Sequence, residues 1–166
     1  QKVKVQIEQQ NAFWRESRFL SSDSSKMTKR KIVIIDDDLD STKVLVRALE
    51  KSSYTPVAFD NGFDAIRFLA NDSSDVALIV LDMMMPELDG HGFVQIFERL
   101  IEERPQILNN GNRTIPLVSY SSNSSAHFGP LEHLKHIDHW WKQRDLRDLN
   151  KKATLILDHL NSELLN

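Results

Sequence analysis

From Lys31 onward, short apolar runs alternate with amphipathic stretches. Ile32 to Ile35 predicts a buried strand, and the next stretch carries Val44, Leu45, Ala48 and Leu49 on one helical face. Pro56 to Phe59 predicts a second short strand, with Asn61-Gly62 turning into a helix that bears Ala65, Ile66 and Leu69. Val76 to Leu81 is apolar at every position, the pattern of a strand covered on both faces. In the following segment Phe93, Ile96, Phe97, Leu100 and Ile101 recur at i, i+3, i+4, i+7 and i+8, the amphipathic helix template. Ile115 to Tyr120 predicts a fourth strand and His139 to Trp141 a short fifth; a last helix then turns Leu146, Leu149, Ala153, Ile156, Leu157 and Leu160 inward. The helix between strands four and five is expected to be the weakest element, because Gly129-Pro130 interrupts it. Five such βα units imply an α/β fold with a doubly wound parallel sheet.

Residues 1–26 follow a different pattern. Val3, Val5 and Ile7 alternate with polar residues, aromatic positions then lose any clean period, and Ser21 to Lys26 has linker composition. The segment reads as an N-terminal extension or linker, of upstream or foreign origin, ahead of a native start at Met27 and a domain over 27–166.

Composition narrows the class. The chain has 166 residues, enough for one domain with a little left over, and hydrophobic residues make up 40% of it. A net charge of −3 provides no positive field toward phosphate backbones, so direct binding to nucleic acid is not implied. The absence of cysteine excludes disulfides and thiolate chemistry and fits a reducing, cytoplasmic setting. The longest apolar run is Val76 to Leu81, far short of the ~20 residues that cross a bilayer, so no membrane span is expected.

In doubly wound sheets ligands bind beyond the carboxyl ends of the strands, so the residues that follow each strand are the informative ones. Here they are Asp36-Asp37-Asp38 after the first, Asp82 after the third, Ser121-Ser122 after the fourth and Lys142 after the fifth. Carboxylates gathered that closely repel one another, and a divalent cation is the natural compensator. An all-oxygen donor set favours Mg²⁺. A carboxylate nucleophile, a cation and an ammonium group together suit phosphoryl transfer.

The segment Lys31 to Asp38, taken with Leu81-Asp82-Met83-Met84-Met85-Pro86-Glu87-Leu88-Asp89-Gly90, resembles the receiver domain of two-component response regulators. The resemblance extends from Lys31 to about Leu160. It implies a flavodoxin-like (βα)5 fold with strand order 2-1-3-4-5. It further implies that Asp82 accepts a phosphoryl group from a histidine kinase or histidine phosphotransfer protein, that Asp36 and Asp37 hold Mg²⁺ with Asp82 and the Met84 backbone carbonyl, that Ser121 bonds the phosphoryl group and that Lys142 contacts it. The protein would then be a switch rather than an enzyme. Its output would run through the surface of the fourth helix, fifth strand and fifth helix, to a protein target or a second copy of the chain. Three features depart from the family pattern: Gln143 stands where Pro usually follows the lysine, His139 takes the place of the usual aromatic switch residue, and the segment Glu103 to Thr114 is longer than the family norm and is expected to be a surface loop.

Three further features carry alternatives. Asp38-Leu39-Asp40-Ser41-Thr42 also resembles the nucleophile motif of haloacid-dehalogenase-like phosphatases, which would make Asp38 and Asp40 catalytic, but that motif leaves the Asp82 segment unexplained. His127, His133, His136 and His139 lack the helical spacing of a metal site, and solvated or partner-facing rings are expected instead. Adjacent Trp140 and Trp141 face opposite sides of their strand, so one is expected in the core.

Overall fold

In the computed structural model, residues 29–71, 73, 75–108, 114–122, 127–141 and 146–163 are described, without side chains at 141, 146–150 and 163. The extension expected at 1–26 lies outside these, as do Lys142 and Gln143. The described elements are β1 (Lys31–Ile35), α1 (Leu39–Glu50), β2 (Thr55–Phe59), α2 (Gly62–Asn71), β3 (Val76–Asp82), α3 (Gly90–Glu103), a 3-10 turn (Pro105–Leu108), β4 (Ile115–Ser121), β5 (Leu134–Trp141) and α4 (Leu146–Glu163). All strand pairs are parallel, in the order β2-β1-β3-β4-β5. That is the expected doubly wound sheet. Central β3 is buried along its whole length, as its unbroken apolar run requires, and Pro56 is confined to the edge strand β2.

Alternation along the strands divides the core in two. Val33, Ile35, Ile79, Leu81 and Leu117 face Ala65 and Leu69 of α2 and Phe93, Phe97 and Ile101 of α3. Ile32, Ile34, Leu78, Val80, Val118 and Tyr120 face Leu45 and Leu49 of α1 and Ala153, Ile156 and Leu160 of α4. Phe93, Phe97 and Ile101 are each fully buried, which at about 2 kcal/mol per large apolar side chain makes α3 a strong anchor for its side of the sheet. Helix starts follow the local chemistry. Asp38 caps α1 by accepting from the Asp40 N–H, and Asp89 caps α3 by accepting from the Gly92 N–H.

Three differences from the sequence expectation lie on the β4–β5 side. First, β5 spans eight residues, because Leu134 to Asp138, where Lys135, His136 and Asp138 break up the apolar pattern, is held in the strand by pairing with β4. Second, the helix expected between β4 and β5 does not occur among the described residues: 127–133 are non-helical. Gly129-Pro130 withholds one backbone donor and disfavours helix at the residue before it. Third, the segment expected to be a surface loop between α3 and β4 begins with a 3-10 turn that buries Ile107 and Leu108.

Candidate functional site

The carboxyl ends of β1 and β3 are neighbours in the sheet, with Ile35 paired to Leu81. The residues just beyond that pair, Asp36 and Asp82, therefore meet, and Asp37 completes a set whose ligand oxygens all lie within 4.8 Å of one another. Asp36 and Asp82 are 0% and 1% exposed, whereas Asp37 reaches solvent. Burial of two acids beside a third at this spacing is electrostatically costly without positive charge.

Backbone donors orient each buried acid. The Asp38 N–H donates to Asp36 Oδ1 at 2.9 Å and the Met84 N–H donates to Asp82 Oδ1 at 3.0 Å. The Asp36 N–H in turn donates to the Phe59 carbonyl at 3.0 Å, tying the end of β1 to β2. On the far side of the cluster, the Tyr120 hydroxyl donates to Asp36 Oδ2 at 2.5 Å, and both residues are 0% exposed. Burial first, and then the adjacent Asp36 carboxylate, push the Tyr120 phenol well above its ordinary value, so it remains a donor at every ordinary pH. The sequence reading placed Tyr120 only as a strand residue. A tyrosine on an otherwise mostly apolar buried face was the available signal.

The loop after β3 is built by close approach. Glu87 has a φ of 66°, in the left-handed region, and the Leu88 N–H reaches back to the Pro86 carbonyl at 2.8 Å. The chain is thereby folded under so that Leu88 packs against α2 and α3. A Cβ on Gly90 would lie 2.8 Å from the Met83 Cα, which explains why only glycine fits there. Met84 leaves its side chain exposed above this loop while its N–H serves Asp82.

Ser121 closes β4 fully buried, one residue past Tyr120, the register partner of Asp82. Lys142 lies outside the described residues, one position past the end of β5. Asp38 and Asp40 are not assembled as a catalytic pair. Asp38 is taken up as the α1 cap, accepting from the Asp40 N–H and from the Ser41 hydroxyl at 2.8 Å, and exposed Asp40 pairs with Lys43 at 3.6 Å. The phosphatase resemblance thus resolves into a helix start.

The expectation that the histidines face solvent or a partner is overturned for two of them. His136 Nε2 and His139 Nδ1 each lie 2.8 Å from the Ser119 hydroxyl. In a regular strand, residues three apart face opposite sides, but β5 is irregular here: Leu117 pairs with His136 while Val118 pairs with Asp138. The extra residue rotates His139 onto the face that His136 occupies. Phe128 covers His136 edge-on with ring centroids 4.8 Å apart. Of the two tryptophans, Trp140 is the core residue, its indole N–H donating to Asp138 at 2.8 Å.

The donor chemistry fits a small hard divalent cation: three carboxylates offer one oxygen each, with no sulfur and no imidazole in the group.

A family model described as the response regulator receiver domain matches residues 32–125. The chain is 35% identical over 78 residues to the response regulator receiver protein CpdR of Brucella abortus, covering 47% of this chain and 61% of that protein. It is 37% identical over 68 residues to the probable transcriptional regulator ycf27 of Guillardia theta, covering 41% of this chain and 26% of that protein. The chain therefore spans less than two thirds of the length of either relative. Among solved structures, the phosphorylated cyanobacterial phytochrome response regulator RcpA shares the fold with a TM-score of 0.62 at 20% identity, covering 82% of this chain and 96% of that one. The Mn²⁺-bound form of response regulator Rcp1 does so with a TM-score of 0.55 at 20% identity, covering 76% of this chain and 91% of that one.

Proposed function

The chain belongs to the response regulator receiver family, and from that membership we propose that Asp82 is its phosphoacceptor, charged by a histidine kinase or histidine phosphotransfer protein. One observation carries this assignment: a buried carboxylate at the end of the central strand, with a ligand oxygen within 4.8 Å of those of two other carboxylates. An Asp82 carboxylate oxygen attacks the phosphorus of a phosphohistidine. The O–P bond forms as the P–N bond breaks, and the departing imidazole nitrogen takes a proton from solvent. The product is an acyl phosphate.

Asp36, Asp37, Asp82 and the Met84 carbonyl would hold Mg²⁺. When bound, the cation supplies positive charge against the phosphoryl oxygens. The Met84 N–H fixes the rotamer of Asp82. Ser121 is the hydroxyl donor to the phosphoryl group and Lys142 its ammonium partner. The receiver unit is taken as 27–166, acting in the cytoplasm as a switch rather than an enzyme; no described helix is long and apolar enough to cross a membrane. Output to a protein target or a second copy of the chain is assigned to β5, α4 and the non-helical segment 127–133, which stands where a fourth helix was expected.

Incubation with acetyl phosphate and Mg²⁺, followed by intact-mass measurement, tests the assignment. The wild-type chain should gain one phosphate and Asp82→Ala should not. Labelling that survives in Asp82→Ala overturns it.

A further inference from the structure

We propose that Tyr120 is a positioning residue for the carboxylate cluster: its hydroxyl acts as a partial internal counter-charge on Asp36, so that Mg²⁺ binds more weakly than the three carboxylates alone would dictate. The proposal rests on the reading of Asp36, Asp37 and Asp82 as the cation site.

The packing leaves the hydroxyl as the feature to explain. Tyr120 sits on the sheet face shared with Ile34, Leu45, Val118 and Trp140, where an apolar side chain would fill the same volume. Instead its O–H reaches across the end of β1 to Asp36 Oδ2 at 2.5 Å, linking residues 84 apart in sequence. The other oxygen, Oδ1, accepts from the Asp38 N–H, so Asp36 has a donor on each oxygen before any cation arrives. A hydrogen bond to an ionised carboxylate is stronger than a neutral one, and it draws electron density from the oxygens that would otherwise face the metal.

The energetic consequence depends on whether a cation is present. Without a cation, the hydroxyl offsets part of the repulsion among the three acids. With one, the same charge is compensated from the other side, and the hydroxyl matters less. Removing it should therefore destabilise the cation-free protein more than the cation-bound one, and by linkage must tighten cation binding by the corresponding factor. A simpler role, in which Asp36 only satisfies a buried tyrosine, requires equal loss in both states.

Calorimetric titration of MgCl₂ into the whole chain separates these accounts. Tyr120→Phe should lower the Mg²⁺ dissociation constant roughly three- to tenfold, a part of what one hydrogen bond to a charged group is worth. Tyr120→Leu should show the same shift in spite of a larger drop in melting temperature, since both lack the hydroxyl and only one keeps the ring. An unchanged or weaker dissociation constant in Tyr120→Phe, with normal binding by wild type, overturns the proposal and leaves the cation site standing. Absence of Mg²⁺ binding in wild type overturns both. A measurement without substitution runs alongside: with both tyrosines ¹³C-labelled at Cζ, adding Mg²⁺ should shift the Tyr120 signal and leave Tyr54 in place. A static Tyr120 signal in a protein that binds Mg²⁺ also overturns the proposal.

Discussion

Glu98 on α3 holds the start of β5 through Leu134, whose N–H donates to Glu98 Oε1 at 2.7 Å. The same carboxylate also accepts from the N–H groups of His133 and Glu132, each at 3.1 Å. Three consecutive backbone donors that a preceding helix would otherwise have organised are thus gathered by one side chain, 34 to 36 residues away in sequence. This anchor lets β5 begin directly from a non-helical segment.

Glu98→Ala should therefore lower unfolding stability by about 2 to 3 kcal/mol, the scale of lost hydrogen bonds to a charged acceptor. Glu98→Gln, which keeps one acceptor oxygen, should cost less. Urea unfolding measures both, and hydrogen exchange should localise the loosening to 132–134. An Ala variant as stable as wild type would show that β5 needs no such anchor.

Gly90→Ala should cost about 1 to 3 kcal/mol, as overpacking does in a tight core, because the obstacle includes the Met83 backbone, 2.8 Å from the new Cβ, and not only a mobile side-chain tip. Since Met83 follows Asp82 directly, the shift should also impair phosphate uptake. Thermal melting and acetyl phosphate labelling of the same variant check the two effects together.

His136 sets an acid limit. Burial holds its imidazole below the ordinary value of 6.5, and His139 adds in the same direction against the opposing pull of Asp138. With the folded value depressed, the unfolded chain binds more protons in the window below 6.5, so stability is complete above that value and declines as pH falls through it. His136→Gln should flatten the decline between about pH 7 and 5 seen by chemical unfolding. An unaltered slope would assign the acid sensitivity to other groups.

Mg²⁺ should raise the melting temperature of wild type by binding only the folded state, worth ~2.7 kcal/mol at a hundred times the dissociation constant. Asp37→Asn, at the exposed member of the cluster, should blunt the rise without unfolding the protein. A melting curve that ignores millimolar Mg²⁺ would show that the cluster is not a cation site.

Local chemistry was enough to reveal much of this protein. The apolar run Val76 to Leu81 reads as a strand covered on both faces, Asn61-Gly62 reads as the turn into a helix, and Asp36, Asp37 and Asp82 stand at strand ends whatever the strand order. These depend on period and near neighbours, which the chain carries in itself. Tertiary structure alone decided the contacts between distant segments. Tyr120 lies on Asp36 because β4 and β1 flank β3 and their ends converge, a relation no spacing encodes. His136 and His139 share Ser119 because an irregular pairing with β4 rotates one of them, overriding the strand alternation that sequence reasoning relies on. Glu98 reads as a solvated helix residue until the loop before β5 folds onto it, since a carboxylate's role is set by which donors arrive and not by its place in the helical period.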